Sequence, residues 1–344
     1  MADDRSRNQR DTGTGRARKK ETTRERNLKM LYKSLMVAGF MLASSQLAAA
    51  QVVALGSTAT GGTNQIGRAI SAVVSEVSPL QMRPQEVANT ADYIPLVNAG
   101  EIEFAIANVV QTYYAYTGTG MSDGRPNENL RMVATLMPFR AGFIVPVDSD
   151  IQSMTDLSGK RVPSFSKGAL GEHVFNAGLA NGGLTPEDVS EVPVPNFPRM
   201  WASFAEGTTD MTVVVVGAAT AQEFDATMGG IRYIDLNDTP EALERMQEWL
   251  PQMFLLEVDG SQNITGIDKP THVIAYYYTL FASADTSDEQ VYEVVKALHS
   301  AEDKLLASGR FFDGFTADGM AQQVDIPYHP GAIRFYEEQG IWNE

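Results

Sequence analysis

Two α/β domains joined by a hinge, with a ligand cleft between them, form the fold class that the sequence predicts, and three observations carry it. From residue 52 onward, short apolar runs alternate with amphipathic segments, the pattern of a mainly parallel sheet with helices on both faces. One device, a strand followed by a polar loop and a helix, recurs at 56–63, 107–111, 164–169 and 216–220. Finally, apolar strands near residues 140 and 275 each connect the first group of elements to the second, and two such crossings make a hinge. The expected domains are 51–140 with 275–344, and 141–274. In open α/β sheets ligands lie outside the carboxyl ends of the strands, so the recurring loops converge on the cleft.

In chain order, the expected elements are a strand at 52–55, a helix at 63–77, a strand at 80–85, a helix at 92–99 closed by Gly100, and a short buried strand at 104–107. A helical turn at 111–116 precedes strands at 130–137 and 141–147. Met154, Leu157 and Gly159 lead into a strand at 161–164, a polar loop, and a helix at 170–179. A strand near 191–194, a helix at 198–206, an apolar strand at 211–216 and a strand-to-helix turn at 217–224 follow. Elements at 232–236 and 240–249 complete a second sheet of similar size. The aromatic stretch 273–281 returns to the first domain, on which one long helix, 289–306, packs.

Residues 1–29 are polar and strongly basic, 35–42 form a short apolar run, and Ala48-Ala49-Ala50 is a small-residue cleavage pattern, together reading as a basic leader and signal peptide over 1–50. Met30 is an alternative start. The run is short against the roughly 20 residues of a spanning helix, so no direct membrane anchor is expected in the mature form. Cleavage near Ala50 is expected to yield an exported protein. The chain has 27 basic and 43 acidic residues; the first 50 hold 11 and 5 of them, leaving 16 and 38, a net charge of −22. So acidic a chain is a poor ligand for nucleic acid or anionic membranes. It has no cysteine, which excludes a lipid anchor on cysteine and thiolate chemistry.

Candidate ligand contacts lie in the loops. Ser57, Thr58, Thr60 and Thr63 supply hydroxyls, and Gly61 and Gly62 let backbone N–H groups approach a carboxylate at the positive end of a helix dipole. Asn64 follows them. Asn108 can donate and accept, or simply cap a turn. Ser164, Ser166, Lys167 and Gly168 form the second loop, where Lys167 would neutralise a solute carboxylate and Ser166 could serve only as a cap. Arg140, at a crossing, suits bidentate carboxylate recognition, although an interdomain ion pair explains it equally well. Val216 and Gly217 bring a third strand end. Tyr113, Tyr114, Tyr116, Phe139, Phe165, Trp201 and 276–278 are candidate apolar walls or ordinary packing.

The stretches LGSTATGGTNQIG, AGEIEFAIANVVQTYYAYTG, DLSGKRVPSFSKGALGEHVF and IPYHPGAIRFYEEQGIW resemble the TAXI family of solute-binding subunits of tripartite ATP-independent periplasmic (TRAP) transporters, over nearly all of 51–344. The resemblance implies a location in the periplasm, a type II periplasmic binding fold, a carboxylate-type solute such as glutamate or 2-oxoglutarate, and delivery to TRAP membrane permease subunits. The chain departs from the family where a Tyr-Tyr pair is replaced by Asn64-Gln65, Ser-Gly-Thr by Ala169-Leu170-Gly171, and Gln-x-Asp by Asn108-Val109-Val110. Lost donors imply a less polar ligand or replacement donors nearby, since an unpaired buried polar group costs about 1–3 kcal/mol.

No catalytic motif stands out. The four histidines, His173, His272, His299 and His329, lack metal-ligand spacing, and there is neither a nucleophile elbow nor a P-loop. His329 reads as a structural residue. No cofactor, metal or enzymatic activity is expected. An exported binding protein serving a sensor partner, and an exported enzyme, are the other roles open to this architecture.

Overall fold

The first described strand continues past its expected end: β1 (Gln51–Thr58) takes in the first three residues of the glycine-hydroxyl run. The computed structural model describes residues 51–59 and 61–343, so the readings for 1–50 and for Thr60 lie outside the described residues. Within β1, alternation sends Val53, Leu55 and Ser57 to one buried face. Helix α1 (Gly61–Val77) covers that face with Ile66, Ile70, Val73 and Val74, at the spacing of one helical stripe. Gly67 makes the close approach possible, because a β-carbon on it would stand 2.9 Å from Ser57 Cβ.

β2 (Leu80–Val87), α2 (Thr90–Asn98), β3 (Phe104–Asn108) and α3 (Val109–Thr117) follow, with β1 pairing in parallel with both β2 and β3. Instead of two strands at 130–137 and 141–147, there is one, β4 (Leu130–Pro146), of 17 residues. Pro138, which cannot donate to a ladder, lies within it opposite Tyr277, next to a register shift between Tyr277 and Thr279 on the partner strand. That local irregularity is what reads as a break in the sequence.

The second half contains β5 (Arg161–Ser164), α4 (Leu170–Asn181), β6 (Ser190–Pro193), α5 (Phe197–Ala205), β7 (Thr212–Val215), α6 (Ala219–Met228), β8 (Ile231–Tyr233), α7 (Pro240–Gln247) and β9 (Phe254–Val258). β10 (Thr271–Ser283) runs back antiparallel to β4. The expected crossings face one another, since Arg140 and Ala275 are paired. α8 (Asp288–His299), α9 (Glu302–Ala307) and α10 (Pro330–Gln339) close the chain. The single helix expected over 289–306 is broken between α8 and α9, where the Ser300 hydroxyl donates to the Ala297 carbonyl (3.0 Å) and Ala301 leaves helical geometry.

The sheets also differ from the expectation of two similar, mainly parallel ones. One sheet has eight strands in the order β2-β1-β3-β10-β4-β7, with β8 on β4 and β9 on β10, and only β5 and β6 stand apart as a parallel pair. β4 and β10 are long enough to serve both halves, so the ladder never ends between them, and every pairing they make within the sheet is antiparallel. Besides two smaller clusters, around Tyr93 and around Phe204 and Phe224, one large core lies around α1, α8 and α10, and a second, containing Phe143, Phe175 and Val213, lies in the other half. α3 links them, since Val109, Val110 and Tyr114 belong to the second core although the helix follows β3.

Candidate functional site

The loops after β1, β2, β3 and β5 border a cavity of about 710 Å3, lined among others by Thr58, Asn89, Gln111, Arg125 and Gly168. A second cavity, of about 300 Å3, is bounded by β4 at Pro138, Phe139 and Arg140, by the end of β7 and start of α6 at 215–219, and by Arg310, Phe311 and Asp313. The expected contacts divide between them: Thr58 and Gly168 line the larger, and Arg140, Val216 and Gly217 the smaller.

Several other candidates are engaged elsewhere. Ser57 is fully buried beneath α1 and lines neither cavity, because β1 extends far enough to turn its side chain inward. Asn64 Nδ2 donates to the Thr58 carbonyl (2.8 Å) and to Glu86 Oε1 (2.9 Å), tying α1 to its own loop. Asn108 caps α3, accepting from the Gln111 N–H (2.9 Å) and donating to Gln111 Oε1 (2.7 Å), so Gln111 is the side chain that reaches the larger cavity. Thr63 shares a 2.7 Å hydrogen bond with the Tyr278 hydroxyl. Ser164 ends β5 with its carbonyl accepting from Val194 N–H (2.8 Å), and exposed Ser166 uses its carbonyl, not its hydroxyl, on Ala169 N–H (3.1 Å). Ala169, not Ser166, is the N-cap residue of α4, and it makes no side-chain cap bond. Lys167 is exposed and adjoins the larger cavity through Gly168.

Helix N-termini decide where an anion is welcome. At the larger cavity two of them already meet the chain's own carboxylates. Glu172 accepts from the Gly168 N–H at α4 (2.5 Å), and Asp92 accepts from the Asn89 N–H at α2 (3.1 Å). α6, at the smaller cavity, has neither a side-chain cap nor an acid in its first turn. The Ala218 carbonyl takes the Ala221 N–H (3.1 Å), which leaves the N–H groups of Ala219 and Thr220 without an intrahelical acceptor. The Gly217 φ of +76° is a left-handed conformation that favours glycine, and it sets the turn from which α6 starts.

Arg140 reaches the same cavity from β4. Its carbonyl is fixed by the Val216 N–H (3.0 Å), its side chain is half-buried, and among the described residues no carboxylate lies within ion-pair distance of it. The neighbouring cation is different: Arg310 Nε stands 3.4 Å from Asp313 Oδ2. Phe139 forms the aromatic wall, stacked on Tyr276 with centroids 5.3 Å apart and tilted on Tyr278 at 5.7 Å. Burial pushes the hydroxyls of Tyr276 and Tyr278 above the usual tyrosine range, so both stay neutral and Arg140 remains the net charge of the wall. Arg310 and Phe311 were not anticipated, since they follow the loop residues by more than ninety positions in the chain and carry no motif; the glycines at 309 and 314 are the only local sign.

Other expected walls prove structural. Trp201 Nε1 donates to the Val213 carbonyl (2.9 Å), and Tyr114 is tied to the Trp249 carbonyl (2.9 Å). His329 is buried, caps α10 through Nδ1 to the Gly331 N–H (3.2 Å), and donates from Nε2 to the Thr286 carbonyl (2.9 Å). Among the described residues no group of three or more His, Asp or Glu could hold a metal ion, and no helix is long and apolar enough to cross a membrane.

The architecture is shared with solved proteins. It is similar to a TctC solute binding protein from Polaromonas, at 16% identity over 79% of this chain and 90% of that one, with a TM-score of 0.54. It is also similar to PhnD1 from Prochlorococcus marinus, solved with methylphosphonate, at 11% identity over 85% and 99% of the two chains, with a TM-score of 0.51. The fold is the mixed α/β, two-domain fold of periplasmic binding proteins. A family model matches residues 55–340 along β1 to α10, and the chain belongs to the NMT1-like family.

Proposed function

We propose that this protein is an exported receptor that binds a small organic carboxylate between its two halves and hands it to a membrane permease of the TRAP type. The observation that carries the reading is Arg140: a half-buried guanidinium without a carboxylate partner among the described residues, at a cavity where α6 offers unclaimed N–H groups. A carboxylate there gains a bidentate, charge-assisted contact and a favourable helix dipole. The proposed lobes are 51–140 with 275–344 and 141–274, hinged at the facing pair Arg140 and Ala275, and closure follows from a ligand's preference for the closed state. The export segment and the TAXI-type motifs of the sequence support periplasmic delivery.

Mature protein stripped of bound solute by unfolding and refolding is expected to show thermal stabilisation by at least one member of a panel of organic acids and amino acids. Arg140→Gln is expected to weaken that ligand ten- to a hundredfold, taking about 1.5–3 kcal/mol for a charged hydrogen bond. No shift across the panel, or undiminished affinity in the variant, counts against the reading. Deletion of the gene should abolish ion-gradient-driven uptake of the same acid by cells, and retained uptake would separate the receptor from any permease.

A further inference from the structure

We infer that the smaller cavity selects a monocarboxylate with an apolar, planar body, and not a dicarboxylate or an amino acid; the inference rests on the carboxylate-receptor reading above. Its charge content is the first reason. Arg310 and Asp313 both line the cavity and stand 3.4 Å apart, so their charges offset each other and Arg140 is left to match one anionic group. A second carboxylate on the solute would enter beside Asp313 and compete with it for Arg310, so like-charge repulsion opposes it.

The walls are the second reason. Pro138 has no N–H, the Val216 N–H is taken by the Arg140 carbonyl, and the Ala218 N–H by the Val215 carbonyl (3.1 Å), so backbone donors facing the rest of a solute are few. Phe139 presents the outer ring of a stack on Tyr276. Phe311, 39% exposed, approaches from the C-terminal segment near the glycine loop, where a β-carbon on Gly62 would stand 3.4 Å from its ring. Val215, Val216, Ala218 and Ala219 complete an apolar lining. A volume of about 300 Å3 lies at the small end of ligand pockets, which suits a single ring carrying one carboxylate. An amino acid's ammonium would have only Asp313, already paired, as its partner.

The test titrates ligand-stripped mature protein with phenylacetate, 2-oxoglutarate, glutamate and acetate, using calorimetry for the tighter probes and NMR line shapes for acetate. Phenylacetate is expected to bind at least tenfold more tightly than 2-oxoglutarate or glutamate. Phe311→Ala, at an exposed position, with its fold checked by circular dichroism, should weaken phenylacetate at least fivefold and leave acetate within twofold. Equal or tighter binding of either comparison acid overturns the inference while leaving a carboxylate receptor in place, as does a Phe311→Ala effect that is absent or the same on acetate. If neither acetate nor any larger acid binds, the carboxylate reading itself falls, and this inference with it.

Discussion

His329 links a buried side chain to a measurable pH effect. Burial holds its imidazole below the usual histidine range, against the opposing pull of Asp288 at 3.6 Å and the Thr286 carbonyl, while Arg131 also disfavours the charged form. The neutral ring accepts from Gly331 at Nδ1 and donates at Nε2, an arrangement that protonation of Nδ1 destroys. Because the unfolded chain takes up this proton more readily, the stabilisation is fully present above the unfolded pKa and is lost as pH falls below it toward the lower folded value. Melting temperatures measured from pH 7.5 to 5 should fall more steeply for the wild type than for His329→Gln, whose amide can donate to the Thr286 carbonyl but does not titrate; parallel slopes would assign the pH effect to other groups. Ser57 makes the complementary case, a residue that looks like a ligand contact and is packing. Its hydroxyl is buried without a hydrogen-bond partner among the described residues, so Ser57→Ala should leave acid binding within twofold in the same titrations.

Elements record how far a sequence reveals its own folding. The α1 stripe of Ile66, Ile70, Val73 and Val74 is legible because a single face is buried, and β3 because it is short, apolar and flanked by turns. β4 is not legible as one strand, since Pro138, Phe139 and Arg140 resemble a break when their antiparallel partner cannot be seen. Glu172 did leave a sign, an acid in the first turn of α4, and that sign predicts a loop whose anion-holding position is already taken. Arg310 and Phe311 left almost none, because only the tertiary fold carries them to the end of β7 and the middle of β4. The contact between α1 and β1 offers a direct check on the packing. Gly67→Ala would place a β-carbon against Ser57, and backbone cannot yield as readily as a side-chain tip, so a loss of about 1–3 kcal/mol is expected in denaturant unfolding. A loss under half that would mean that helix and strand are separated more widely than described.

On the scale of the whole molecule, the two cores are not independent. Residues from 51 onward cluster as one unit, α3 gives Val109, Val110 and Tyr114 to the second core, and β4 and β10 contribute to both. Denaturant unfolding of residues 51–344 should therefore be one cooperative transition, with tryptophan fluorescence and circular dichroism coincident. Two resolved transitions would show that the halves fold separately and that the shared strands transmit little.

The pairing of Arg140 with Ala275 in the middle of two uninterrupted strands has a mechanical consequence. In any rotation, atoms move in proportion to their distance from the axis, and in the hinged receptor proposed above the axis would pass near this pair. On that proposal an anion held by Arg140 would be gripped at the pivot and travel least, while the outlying walls would sweep toward it. Such a receptor can open and shut around its cargo without dragging the charge through water, and its grip on that charge need not be remade at each cycle.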